Sequence, residues 1–140
     1  MKLLINIDVP DLAAGIDFYC RALELSFTRI IDGDVAELSG AACMLYLLQK
    51  SSGTDAATAS NMQRQYSRHW TPVHLDFVVQ DINAALERAL HAGARQESAC
   101  IEWMGSRCIT FSDPFGHGFC LIELTGDSYS HEEHDHLPAE

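Results

Sequence analysis

Two stretches of the chain, Ile5-Asn-Ile-Asp-Val-Pro-Asp-Leu12 and Leu75-Asp-Phe-Val-Val-Gln-Asp-Ile82, lie seventy positions apart and share one layout: an alternating strand, an Asp, then an apolar helical stretch. A repeat of this kind constrains the fold more than any single motif. A small unit that cannot bury its own sheet can bury it against a twin. At 140 residues and 47% hydrophobic, the chain has material for one compact domain or for two half-domains sharing a core, and no room for a second independent domain.

The alternation along residues 3–9 puts Ile5, Ile7 and Val9 on one face and Leu4, Asn6 and Asp8 on the other, which predicts a half-buried strand. Pro10 stops it, Asp11 can cap a helix, and Leu12, Ile16, Tyr19 and Leu23 recur at helical spacing. Residues 27–31, 35–38 and 43–48 read as three strands separated by Asp32-Gly33-Asp34 and Ser39-Gly40. The second unit repeats this order. A strand over 74–79 precedes capping Asp81, and a helical stripe of Ile82, Ala85, Leu86, Ala89 and Leu90 ends at Gly93. Strands follow over 96–103, 107–112 and 118–124, the last two joined by Asp113-Pro-Phe-Gly-His-Gly118, a turn sequence.

Modules 1–48 and 73–125 thus make one α+β domain over 1–125, two βαβββ units joined by a connector over 49–72. The first half of the connector lacks an apolar period and is expected to be mobile. Its second half, Arg64-Gln-Tyr-Ser-Arg-His-Trp70, concentrates aromatic and basic groups suited to a lid or a subunit contact. Residues 126–140 form an acidic tail with His131, His134 and His136, expected to be disordered at its end and to bind metal only adventitiously.

The net charge is −11, and five of the twenty acids lie in that tail. A chain without a basic face is not expected to bind nucleic acid. The apolar runs fall short of the roughly 20 residues needed to span a bilayer, and the N-terminus meets Asp8 too early for a signal peptide. No membrane association is expected. The five cysteines (Cys20, Cys43, Cys100, Cys108 and Cys120) are odd in number and without CxxC spacing, which predicts buried free thiols and a cytoplasmic protein.

Two βαβββ units, with His74-Leu-Asp-Phe-Val-Val opening the second and Asp113-Pro-Phe-Gly-His-Gly-Phe-Cys-Leu closing it, resemble the vicinal oxygen chelate superfamily. That group includes glyoxalase I, extradiol dioxygenases, fosfomycin-modifying enzymes and bleomycin resistance proteins. The resemblance implies paired half-barrels and, in metal-dependent members, a divalent ion held by His, Gln or Glu from four strands. Carried onto this sequence, the ligand positions fall on Leu4, Tyr46, His74 and Cys120. Only His74 is a conventional ligand, so no metal and no cofactor are predicted. A divalent ion (Zn, Ni, Fe or Mn) would require a rearranged set with Asp76 and a Cys120 thiolate, or a register slip that brings in Glu123 and flips the side-chain face.

The candidate ligand-binding residues are therefore Asn6, Tyr46, His74, Asp76 and Cys120, with His74 and Asp76 the candidates for acid-base chemistry. The repeat offset also predicts that Asn6 and Asp76 approach each other across the module interface. Trp70 and Trp103 are expected to pack the core or an interface, and His117 to be a solvated turn residue. The function implied is binding of a small organic molecule, with the bleomycin resistance proteins as the nearest analogue and a homodimer as the assembly. The alternatives are a metal-dependent lyase or dioxygenase with a rearranged ligand set, or a metal-free isomerase using His74 and Asp76.

Overall fold

The computed structural model describes residues 1–59 and 61–126. The first unit runs β1 (Leu4–Val9), α1 (Leu12–Leu23), β2 (Ser26–Ile31), β3 (Val35–Ser39) and β4 (Met44–Gln49), in a sheet of order β1-β4-β3-β2. The second runs β5 (Leu75–Val78), α2 (Ile82–Ala92), β6 (Arg95–Gln96), β7 (Ile101–Trp103), β8 (Ser106–Ser112) and β9 (Gly118–Leu124), in the order β5-β9-β8, with β6 and β7 both against β8. In each unit the first strand pairs parallel to the last, and the other pairings are antiparallel. The fold is α+β, with two strand-rich modules.

Register makes the repeat quantitative. Asn6 lies opposite Tyr46 and Asp76 opposite Cys120, so Leu4 and His74, each two residues upstream, occupy equivalent places. The helix starts are equivalent as well. The Asp11 carboxylate accepts from the Ala14 amide at 2.8 Å, and Asp81 accepts from Asn83 and Ala84 at 3.0 and 3.1 Å. The last strand of each unit supplies one more acceptor, Gln49 to the Leu12 amide (3.0 Å) and Glu123 to the Ile82 amide (2.8 Å). These four side chains meet donors that a helix N-terminus leaves unpaired. Where the helices meet, Arg21 donates to the His91 carbonyl at 3.0 Å, a contact between positions related by the same seventy-residue offset.

The core lies between sheets and helices. Val9, Leu38, Leu45 and Leu47 from the first unit and Ile82, Ile109, Phe111 and Leu121 from the second are fully buried. In the central strands alternate residues therefore face the helices, and the other set, including Asn6, Tyr46, Asp76 and Cys120, lies on the opposite, open face.

Several expectations are corrected. The strand expected over 96–103 divides into β6 and β7, because side chains replace backbone groups in the bonding around residues 97–98. The Gln96 amide donates to the Ser98 carbonyl (2.8 Å), the Ser98 hydroxyl accepts from the Thr110 amide (2.9 Å), and Glu97 turns toward Arg68. Such side-chain bonds compete with the ladder. Trp70 and Trp103 are 81% and 57% exposed, so of the two places expected for them the core is excluded and an interface is left. Cys100 is also exposed, although all five cysteines are free. Among the described residues no helix is long and apolar enough to cross a membrane. The expectations for the tail, with His131, His134 and His136, concern residues outside those described.

The connector is tied at both ends. The Gly53 amide donates to the Arg64 carbonyl and the Arg64 amide to the Thr54 carbonyl (2.8 Å each), next to a bridge between Asp55 and Gln63, and the Arg64 guanidinium reaches the Asp8 carboxylate at 2.6 Å. Residues 66–69 then fold over the turn between β8 and β9, where the His69 amide donates to the Gly116 carbonyl at 3.3 Å. That approach is why the turn needs glycine. A Cβ on Gly116 would sit 2.1 Å from the Ser67 oxygen, and φ is +88°. Buried Asp113 holds the turn, accepting from the Phe115 and His117 amides (2.8 and 2.9 Å) and from the Tyr19 hydroxyl (2.5 Å).

Candidate functional site

On the open face of the second unit, three of the sequence candidates converge. His74 Nε2 lies 3.1 Å from Asp76 Oδ1, and the donor atoms of His74, Asp76 and Cys120 all lie within 4.8 Å of one another. His74 and Asp76 sit at the start of β5, exposed, whereas Cys120 in β9 is buried. The Cys120 thiol bonds the Thr110 hydroxyl at 3.6 Å. Burial pushes the Cys120 thiol up from its ordinary range, and it pushes Cys108 up to about 12, helped by the neighbouring Cys120. Both sulfurs are therefore poor nucleophiles near neutral pH.

The first unit carries a different row. Asn6, Tyr46, Glu37 and Arg29 stand side by side across β1, β4, β3 and β2. The Tyr46 hydroxyl donates to Glu37 at 3.0 Å, the Thr28 hydroxyl donates to it at 2.7 Å, and Arg29 donates to both carboxylate oxygens at 3.1 and 3.3 Å. The Arg29 hydrogen bond, with those of Thr28 and Tyr46, holds the Glu37 carboxyl below the usual range, and the bond to Glu37 raises the Tyr46 phenol. Glu37 and Arg29 were missed from sequence. A lone charge between Ala36 and Leu38, on the face opposite both, was the available signal.

Two cavities separate the modules. The larger, about 950 Å³, runs from Leu23–Leu25 and Gly40–Cys43 of the first unit to β5, Asp81 and Arg88 of the second. The smaller, about 360 Å³, is bounded by Asn6, Asp8, His69, Thr71, His74 and His117. Asp76 lines the larger and Asn6 the smaller, so the two do not share one cavity floor, and Tyr46 and Cys120 line neither. His117 is not a solvated turn residue: it is half-buried, with one ring nitrogen 2.6 Å from the Asp8 carbonyl and the other 3.0 Å from His69.

A family model described as a glyoxalase-like domain matches residues 4–122. The chain belongs to the glyoxalase-like domain family. Its architecture places it in the vicinal oxygen chelate superfamily. An uncharacterized protein of Mycobacterium bovis is 29% identical over 116 residues, covering 81% of this chain and 76% of the relative. Among solved structures, a glyoxalase/bleomycin resistance protein/dioxygenase from Nocardioides superimposes with a TM-score of 0.63 at 19% identity, covering 91% of this chain and 85% of its own. The fosfomycin resistance protein FosX of Listeria monocytogenes does so with a TM-score of 0.64 at 18% identity, covering 88% and 92%. At these identities the solved structures establish the fold.

The superfamily's metal can be tested against the side chains at its implied positions. Leu4 offers no donor atom, the Tyr46 hydroxyl is committed to Glu37, and the buried Cys120 thiol would have to give up its proton to ligate. Only His74 remains, and a catalytic ion needs several converging ligands plus open positions. Adding Asp76 gives a cluster confined to β5 and β9, with nothing contributed by the first unit. Glu123 adds nothing, because its carboxylate faces α2 and holds the Ile82 amide. The donor set does not fit a divalent ion shared between the modules.

Proposed function

We propose that the chain binds a small organic molecule in the larger cleft between its two modules, without a catalytic metal, using Asp76 as a polar anchor that His74, on the adjoining smaller cavity, orients from 3.1 Å away. The observation that carries this reading is the cleft itself. At about 950 Å³ it matches the size of small-molecule sites, roughly 300–1,000 Å³. Its wall is mostly apolar, and Glu24, Asp76 and Asp81 outnumber Arg88, which suits a neutral or cationic ligand. The five unpaired thiols support a reducing, cytoplasmic setting. Val78 and Ile101, 65% and 56% exposed on the open face, support a homodimer in which a second copy covers that face.

Native mass spectrometry of the full chain, before and after a screen of small neutral and cationic organic compounds, tests ligand and assembly together. The expected result is a dimer mass with one ligand per chain. Asp76→Asn or His74→Ala should weaken that binding about fivefold for each hydrogen bond lost. A binder equally tight to both variants would sink the reading.

Two enzymatic readings have specific support. The 4.8 Å cluster of His74, Asp76 and Cys120 favours a metal-dependent lyase or dioxygenase with a rearranged ligand set, which would require the buried Cys120 thiol to ionise. The 3.1 Å contact between His74 and Asp76 favours a metal-free isomerase in which the carboxylate orients an imidazole base. Stoichiometric metal would select the first, and turnover lost in His74→Ala without metal would select the second.

A further inference from the structure

We infer that His69 and His117 form a proton-binding site that holds three protons on four ring nitrogens, and that this shared proton locks the connector over the smaller cavity. The inference comes from counting donors. His117 Nε2 lies 2.6 Å from the Asp8 carbonyl, and His69 Nδ1 lies 2.9 Å from the Ser67 carbonyl. A carbonyl cannot donate, so each of these nitrogens carries a hydrogen. The remaining two nitrogens, His117 Nδ1 and His69 Nε2, face each other at 3.0 Å, a contact that requires one hydrogen between them. The total is three. Two neutral imidazoles carry two, so the pair carries a single positive charge. In these orientations all four ring nitrogens meet a polar partner, whereas flipping either ring would set a C–H against a partner now met by nitrogen.

The surroundings do not supply this charge by simple attraction. On β1 the Asp8 carboxylate is already paired with Arg64 at 2.6 Å. On the connector, Tyr66 presents its ring at 6.2 Å from His117 and donates its hydroxyl to the Lys50 carbonyl, while Arg68 is paired with Glu97 and also donates to the His69 carbonyl. In the turn, Asp113 is engaged by Tyr19 and two amides, and across the cavity His74 is paired with Asp76. The proton is held because three contacts need three hydrogens.

These contacts join three segments distant in sequence: the connector through Ser67 and His69, the β8–β9 turn through His117, and β1 through Asp8. His69, Thr71 and Val73 form one side of the cavity of about 360 Å³, so releasing the lock frees its wall. Either change of proton count breaks the chain. With two protons one contact becomes lone pair against lone pair, and with four an N–H faces an N–H. The lock is therefore tightest between two pH limits and loosens on both sides, the signature of a coupled pair.

Nitrogen-15 NMR of the full chain at neutral pH reads the count directly. The expected pattern is three protonated nitrogens and one acceptor over His69 and His117. Hydrogen exchange of residues 67–73, corrected for intrinsic rates, should show protection that peaks at intermediate pH and falls roughly five- to tenfold on each side, the loss of about one hydrogen bond. In His69→Gln the amide keeps one donor and one acceptor but no titrating proton, so the peak should flatten into a plateau. Two protonated nitrogens at every pH of the folded range would overturn the inference, as would a peak that His69→Gln reproduces. Should that variant not fold, the nitrogen count in the unaltered chain decides alone.

Discussion

The two modules share a scaffold and differ on the faces they turn away from their helices. On the helix side the parallels are close: Asp11 and Asp81 cap α1 and α2, Gln49 and Glu123 each hold the first helical amide, and Arg21 meets His91. On the open side the first unit has the row Asn6, Tyr46, Glu37 and Arg29, hydrogen-bonded from Tyr46 to Arg29, and the second has Asp76, Cys120 and Thr110 with His74 beside them. The fold is maintained by what the modules have in common. The ligand binding proposed above would draw on what they do not, and neither row alone offers a complete ligand set for an ion.

The strongest test of this asymmetry is at the turns. Gly116→Ala would force the new Cβ into the Ser67 carbonyl at a positive φ, and is expected to cost roughly 3 kcal/mol or more in chemical denaturation. Gly40→Ala, in the corresponding turn of the first unit, meets only ordinary contacts at 3.4 Å and should cost about 1 kcal/mol of backbone strain. Equal losses would mean that the connector does not lean on the second turn as described.

Next comes the link between units. Tyr19 on α1 bonds Asp113, whereas its counterpart on α2, seventy residues on, is Ala89. Removing the hydroxyl in Tyr19→Phe should cost about 1–2 kcal/mol, because a buried carboxylate oxygen loses its donor. Burial, with the Asp113 charge and hydrogen bond, raises the phenol well above its ordinary value of about 10. The unfolded chain therefore ionises first. The stability this contributes is fully present below about pH 10 and is lost as pH rises toward the folded-state value. Urea midpoints compared between pH 8 and pH 11 should show an alkaline loss that is smaller in Tyr19→Phe.

The smallest effect sharpens the parallel itself. Glu123→Ala should destabilise by about 1 kcal/mol and Gln49→Ala by about half that, since both leave a helix amide unpaired but only Glu123 brings a negative charge to a helix N-terminus. A reversed order would show that the helix-end charge is not what distinguishes them.

Much of the scaffold was legible in the sequence for physical reasons. Alternation and helical stripes reflect which face is buried, and Asp caps act within three residues, so the repeat and the helix starts could be read locally. The cluster of His74, Asp76 and Cys120 was legible through family resemblance together with the strand period. Contacts set by register or by long loops were not. Glu37 meets Tyr46 only because β3 pairs with β4 in one register, and His117 meets Asp8 across 109 positions. The break in the 96–103 strand came where the Ser98 hydroxyl takes a β8 amide in place of a backbone carbonyl and the Glu97 side chain turns to Arg68, which composition does not announce. The exposure of Trp70 and Trp103 likewise depends on where the connector and β7 lie, not on the residues themselves.

The central claim, that the diverged open faces leave no ligand set for a catalytic ion, is tested most directly by metal analysis of the full chain with His131, His134 and His136 changed to Ala, purified without a nickel column and then equilibrated with Zn, Ni, Fe or Mn. The account predicts far less than one equivalent of retained metal, unchanged in His74→Ala. One equivalent held through dialysis and lost in His74→Ala would contradict it.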